Sequence, residues 1–304
     1  MLKSMWKKLF VESLLKNGLR TPSQWNIPTS TLRFSLEKIC KIFPKNTQDL
    51  HFEHDQLAGL PVEKISPNNS AEHVILFIHG GLFMLGSQHS YRALMCSLVQ
   101  RTQLPVIHID YPLAPEQPFP AAFDALYQAY HALLNQGVAA DHIILAGDCA
   151  GANLALSLNL RLLRENAPQP CGLVLMSPLL DLTLSSESLR FNQQHDALLS
   201  LTLIENAIQH YIAPHTDRDD PRVSPLFDQL QGLPKTLVQV GSKALLLDDA
   251  QRFRAQAKKA GVEVEFKLYT GMWHNFFMFD AWFDESKQAL ADLAAFVHHL
   301  KSND

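Results

Sequence analysis

Five apolar runs constrain this chain more than any other feature: HVILFIHG (73–80), PVIHIDY (105–111), HIILAGDC (142–149), GLVLMSP (172–178) and KTLVQVGS (235–242). Each reads as a strand buried on both faces. A sixth segment, VEVEFKLYTG (262–271), alternates apolar and polar residues as an outer strand does. Helical patterns fill the gaps, at 120–136, 150–165, 200–211 and 248–260, with a last one near 285–300. Strands alternating with helices predict an α/β fold whose mostly parallel central sheet is flanked by helices. Neither repeats nor low-complexity linkers divide the chain, so residues 1–304 read as one domain. Two segments stand outside the alternation. Residues 1 to about 45 are helical before any strand, and residues from about 185 to 222 separate two strands by more than a crossover needs. Together they are expected to cap the carboxyl edge of the sheet, where open α/β sheets bind ligands. The charge-rich HTDRDDPR (215–222) reads as a solvated loop.

At 304 residues, 47% of them hydrophobic, the chain can bury a large core. A net charge of −4 offers no basic footprint for nucleic acid, and no patch for an anionic membrane stands out. The basic, amphipathic N-terminus lacks both a long apolar core and a small-residue cleavage site. It reads as a first helix of the mature protein, not a signal peptide. Apolar stretches fall short of the roughly 20 residues of a membrane span, so no integral membrane segment is expected. The four cysteines, Cys40, Cys96, Cys149 and Cys171, have neither paired CxxC spacing nor a small-domain disulfide framework, which fits a reducing cytoplasm. No HExxH or clustered Cys/His spacing suggests a metal, and no cofactor is implied. The outer strand offers an edge to a second copy, leaving a homodimer open.

Three short stretches carry the chemistry. GDCAG (147–151) follows a strand and opens a helix, which is the context of a nucleophile elbow with Cys149 at its tip. The N–H groups that follow, starting with Ala150, face such a nucleophile, and the helix N-terminus favours negative charge there. HGGLFMLGS (79–87) follows another strand, and its glycines let the backbone approach a bound carbonyl. It is not a phosphate loop, because Ser87 and Gln88 stand where Lys and Ser/Thr are required. GMWHNFFMF (271–279) places His274 beyond the last strand, in the chain order that elbow hydrolases use for their histidine.

HGGLF, YPLAPEQPFPAAFDAL (111–126), GDCAGANLAL (147–156), SPLLDL (177–182), DPRVSPL (220–226), GLPKTLVQVGS (232–242) and WHNF (273–276) occur in one order. That series resembles the hormone-sensitive-lipase-like branch (bacterial family IV) of the α/β-hydrolase carboxylesterases, from about residue 70 to the end. The resemblance implies hydrolysis of short- or medium-acyl esters beneath a helical cap, with a small-molecule ester as substrate. It implies that Gly80, Gly81 and Ala150 supply the oxyanion-hole N–H groups and that His274 is the general base. The family's third glycine is replaced by Leu82, a change tolerated if that position lends no donor. Phe83, Met84, Trp273, Phe276 and Phe277 flank the site in sequence and are expected to include the lining of an apolar substrate pocket.

Two triad positions depart from the family. Cys149 replaces the elbow serine, and GSKALLLDD (241–249) puts Ala244 at the acid position. Alanine can neither hold the histidine's tautomer nor stabilise an imidazolium. A thiol is far more acidic than a serine hydroxyl, so Cys149 beside His274 could rest as a thiolate–imidazolium pair. Asp181 and Asp248 are the alternative carboxylates to consider, with Asp248 and Asp249 also suited to the first turn of a helix. Three readings stay open: an esterase whose triad has been altered and whose turnover is impaired, a Cys–His enzyme acting on thioesters or activated acyl donors, and a non-catalytic protein that binds a ligand in the same pocket.

Overall fold

The computed structural model describes residues 2–20, 27–41 and 43–301. Its sheet has eight strands: β1 (Leu50–Leu57), β2 (Leu60–Pro67), β3 (Val74–Ile78), β4 (Val106–Ile109), β5 (Ile143–Asp148), β6 (Gly172–Met176), β7 (Thr236–Gly241) and β8 (Val264–Tyr269). Their spatial order is β1-β2-β4-β3-β5-β6-β7-β8. The pairings of β1 with β2 and of β2 with β4 are antiparallel, and all the others are parallel. The α/β class and the outer position of β8 agree with the sequence reading. β3 to β7 are fully buried, as their continuous apolar runs require.

Strand alternation divides the core into two layers. Leu76 and Ile78 of β3 face α4 (Ala121–Asn135), α5 (Ala150–Arg164) and α8 (Leu247–Lys259). Ile75 and Phe77 face the opposite layer, built by α3 (Gln88–Thr102) and α9 (Asp284–Lys301). Each such side chain contributes about 1.5–3 kcal/mol through burial, so the sheet is held from both sides along its length.

The β1–β2 hairpin has no counterpart in the sequence reading. Its first strand, LHFEHDQL, is exposed over most of its length, and its second contains Pro61 and Pro67, so neither shows an apolar run. The pairing is decided by the tight turn at Ala58 and Gly59, both at positive φ, and by docking of Val62 and Ile65 onto β4. α3 has no counterpart there either, although Tyr91, Leu94, Met95, Leu98 and Val99 carry the helical period plainly.

α1 (Leu2–Leu15), α2 (Thr29–Cys40), α6 (Ser188–Phe191) and α7 (Leu201–Tyr211) come from the two segments outside the alternation. They are fastened to loops at the carboxyl ends of the strands. Arg33 of α2 donates to the carbonyls of Met84 (2.7 Å) and Ala114 (2.8 Å). Lys243, just beyond β7, reaches Glu12 of α1 at 3.1 Å. No helix among the described residues is long and apolar enough to cross a membrane.

Candidate active site

β5 ends and α5 begins at a turn of three residues, and the glycines around Cys149 are there for clearance. A Cβ on Gly147 would lie 2.5 Å from the Gly151 carbonyl oxygen, and one on Gly151 would lie 2.0 Å from the Ile78 carbonyl oxygen. Cys149 itself has φ 52° and ψ −117°, a strained conformation for a residue with a side chain. Its N–H donates to Met176 O at 2.9 Å, and its carbonyl accepts from Asn153 N and Leu179 N at 3.2 Å each. Those bonds hold the strain and aim the thiol into a buried position.

The backbone N–H groups of Ala150, Leu82 and Gly81 converge on the sulfur. Gly80, implied as a donor by the resemblance, serves another purpose. Its N–H donates to Asp148 Oδ1 at 2.8 Å and approaches the Tyr91 hydroxyl at 3.1 Å. The second N–H of this loop turned to the sulfur, beside that of Gly81, is that of Leu82. The loop lifts Leu82 (φ 55°) and Phe83 (φ 63°) into the left-handed region after Gly81, and this turns the Leu82 N–H inward. The position thus turns an N–H toward the sulfur, so the condition attached to a leucine there, that it lend no donor, is not met. A residue with a side chain at such a φ costs on the order of 1 kcal/mol, offset here by burial of the Leu82 side chain.

Asp148 ties the site together. Its Oδ2 accepts from the Tyr91 hydroxyl at 2.8 Å and from Asn275 Nδ2 at 2.7 Å, in addition to the Gly80 bond at Oδ1. One buried carboxylate thus joins the Cys149 turn, the glycine loop at Gly80 and the residue after His274. Burial pushes its pKa up to about 7 against the pull of those three donors.

His274 is buried with Cys149 beside the same apolar cavity. Burial lowers its pKa to about 3. Burial, and then the charge of Asp148, raise the Cys149 thiol to about 12. Both shifts favour the neutral forms, so a resting thiolate–imidazolium pair is disfavoured. His274 makes no side-chain hydrogen bond among the described residues, and its Nδ1 is buried without a partner. The alternative carboxylates are committed elsewhere. Asp181 pairs with Arg252 at 2.6 Å, Asp248 accepts from Ser188 N at 2.7 Å, and Asp249 accepts from Leu180 N and Ser186 Oγ. Ala244 is fully buried in the turn between β7 and α8, with its carbonyl held by Asn192 at 2.9 Å.

The cavity is lined by Leu32 and Leu36 of α2, by Leu198, Leu199 and Leu203, and by Met278. None of the five residues expected from sequence lines it. Phe83 stacks on Tyr211 with ring centres 3.7 Å apart, and Trp273 packs edge-on against Phe279 and Phe283. Phe276 and Phe277 turn toward the α9 layer, and Met84 packs in the layer of α4 and α5. In α2 the lining residues Thr31, Leu32, Ser35 and Leu36 recur at helical spacing, but nothing in that spacing ties them to the site.

A family model for the alpha/beta hydrolase fold matches residues 75–278. An esterase of Acinetobacter venetianus is 56% identical over 297 residues, covering 98% of both chains. An acetyl-hydrolase of Streptomyces hygroscopicus is 34% identical and covers 77% of this chain and 78% of its own length. Among solved structures, an esterase from the bacterial hormone-sensitive lipase family superposes with a TM-score of 0.90 at 30% identity, covering 97% of this chain and 98% of its own. With the Cys149 turn, the Gly81–Leu82 loop and His274 arranged on this sheet, the chain belongs to the hormone-sensitive-lipase-like branch of the α/β-hydrolase carboxylesterases.

Proposed function

We propose that this protein is a carboxylic-ester hydrolase for short- to medium-chain acyl esters, working through an acyl-enzyme on Cys149 with turnover impaired by its own triad. The observation that carries the reading is the convergence of the Ala150, Leu82 and Gly81 N–H groups on Cys149 Sγ beside a histidine whose Nδ1 has no partner. Attack by sulfur on the ester carbonyl transfers the thiol proton to His274 and develops an oxyanion, which the three N–H groups would stabilise. At rest those donors face the sulfur, so Sγ must swing aside to admit the carbonyl oxygen. His274 then returns the proton to the leaving alcohol and must draw a proton from water to release the acid. Among the described residues no carboxylate bonds its ring, so none fixes its tautomer, and deacylation suffers most. In related chemistry, loss of the acid's function costs roughly 10⁴-fold in turnover. The apolar lining from α2 and from Leu198, Leu199 and Leu203 fits an acyl chain, and these cap segments form one wall of the site.

The test is a time course of nitrophenolate release from p-nitrophenyl butyrate at enzyme concentrations that resolve one equivalent. Release is expected to stop at or below one equivalent, and the double substitution Cys149→Ser with Ala244→Glu is expected to restore sustained turnover. Sustained release by the unaltered chain that vanishes in Cys149→Ala overturns the impairment. Failure of a folded double variant to hydrolyse any ester favours the ligand-binding reading.

A further inference from the structure

The loop between β3 and α3 is held from two sides. From its own side, Met84 N and Leu85 N both donate to Gly81 O, at 3.1 and 2.9 Å, and Ala114 N donates to Phe83 O at 2.9 Å. From the other side α2 grips it at two points. Arg33 Nε donates to Met84 O at 2.7 Å. One turn further along the helix, Glu37 accepts from the hydroxyl of Ser87, the residue that caps α3. The Arg33 guanidinium is itself fixed. Its Nη2 donates to Ala114 O at 2.8 Å, and Nη1 and Nη2 make a forked pair with the Glu116 carboxylate at 2.9 and 2.7 Å. A planar fork that serves two carbonyls and a carboxylate at once is work for arginine and not for lysine. The gripped loop carries Leu82 and Phe83 at positive φ, a shape that persists only where its surroundings over-determine it. The Gly81 and Leu82 N–H groups turned on Cys149 Sγ belong to the same stretch.

We propose that Arg33 and Glu37 are positioning residues, through which docking of α2 holds loop 81–87 in the shape that turns the Gly81 and Leu82 N–H groups onto the reacting centre. The effect on catalysis rests on the acyl-transfer reading above, whereas the grip on the loop does not. Leu32 and Leu36, each one residue before a gripping residue, line the cavity. One helix thus carries both a wall of the cavity and the fixings of two donors, so an outward movement of α2 that widens the cavity also slackens those donors. Without Arg33, the carbonyl of Met84, a residue only 2% exposed, loses its charged partner, and an acceptor stranded in that way favours a shifted loop. The Ala150 N–H is set instead by the first turn of α5, so one donor of the three stays in place.

The test compares the parent chain with Arg33→Met and Arg33→Lys. Hydrogen exchange is read by mass spectrometry on the peptide spanning 81–88, where the N–H groups of Met84, Leu85 and Ser87 are bonded. Exchange there should be about tenfold faster in Arg33→Met and intermediate in Arg33→Lys, with β5 and β7 unchanged. Activity is read as the rate ratio of p-nitrophenyl acetate to p-nitrophenyl thionoacetate, from first-equivalent release in the parent chain and from kcat on the Cys149→Ser, Ala244→Glu background. A thiono sulfur is larger than oxygen and a weaker acceptor, so it draws little from the donors. Arg33→Met should slow the oxygen ester about tenfold or more and the thiono ester less than about twofold. A variant that was merely less stable would slow both alike. Unchanged exchange in the loop of a folded Arg33→Met overturns the proposal, and so does faster exchange with an unchanged rate ratio. Where Arg33→Met does not fold, Glu37→Ala frees Ser87 with Arg33 in place and is held to the same two outcomes. Release from neither ester by any of these chains would overturn the acyl-transfer reading and leave the exchange rates to decide the grip.

Discussion

Cys149 should react with iodoacetamide far more slowly than a free thiol, and with the wrong pH dependence for an activated nucleophile. Burial and the neighbouring Asp148 take its pKa from the ordinary 9.0 to about 12, a rise of about three units. Near pH 8 this lowers the thiolate fraction about 10³-fold. The more basic thiolate is intrinsically more nucleophilic, which returns about 20-fold at a Brønsted slope of about 0.45. The net expectation is alkylation about 50-fold slower than N-acetylcysteine, before any steric shielding by the cavity walls. The assay is peptide mass spectrometry of quenched aliquots over a pH series, following the Cys149 peptide separately from those of Cys40, Cys96 and Cys171. The rate should climb about tenfold per pH unit through about pH 10 without levelling. A Cys149 rate that plateaus below about pH 8, at or above that of the free thiol, would refute the argument. It would mean that His274 holds a thiolate–imidazolium pair despite the desolvation of both groups.

Three further outcomes follow from the same geometry. Gly151→Ala places a Cβ 2.0 Å from the Ile78 carbonyl, which is backbone and must move. The expected fall in Tm is about 6 °C or more, and an unchanged Tm would show that the elbow tolerates the methyl group. Leu36→Trp, on the Cys149→Ser and Ala244→Glu background, fills the cavity from α2. It should cut the octanoate-to-acetate activity ratio on p-nitrophenyl esters at least tenfold, whereas an unchanged ratio would place the acyl chain elsewhere. For pH, the folded pKa of His274 is depressed from 6.5 to about 3, so the unfolded chain binds a proton that the folded chain refuses between those values. The stability from keeping this imidazole neutral is present above about pH 6.5 and is lost as pH falls toward 3. His274→Gln should therefore gain in Tm relative to the parent between pH 7 and 4.5, and a pH-independent difference would contradict the shift.

Much of this architecture is legible in the amino-acid order because the physics behind it is local. β3 to β7 are found within a residue or two of their ends, since a strand covered on both faces must be apolar throughout. GDCAG announces its turn because only small flanking residues clear the Ile78 and Gly151 backbones. The substitutions at 149 and 244 are visible at once in the spacing of the motifs. The β1–β2 hairpin is not legible, because LHFEHDQL buries almost nothing and owes its place to its partner strand. The cavity lining is also hidden. Closeness to His274 in sequence suggests Trp273, Phe276 and Phe277, but their rings pack in the core layer of α3 and α9. Leu32 and Leu36 reach the site from more than a hundred residues away in the chain.

The sequence by itself determined strands β3 to β8, the chemical identity of the groups around Cys149 and the absence of an acid at 244. These depend on residue type and on spacing of a few residues. Only the tertiary structure decided which N–H groups point at the sulfur, that Gly80 is spent on Asp148, and that His274 Nδ1 has no partner among the described residues. Direction and burial are set by how β3, β5 and β7 and their loops meet. The pKa values of Cys149 and His274 follow from that meeting, because desolvation by the surrounding layers moves both groups toward neutrality.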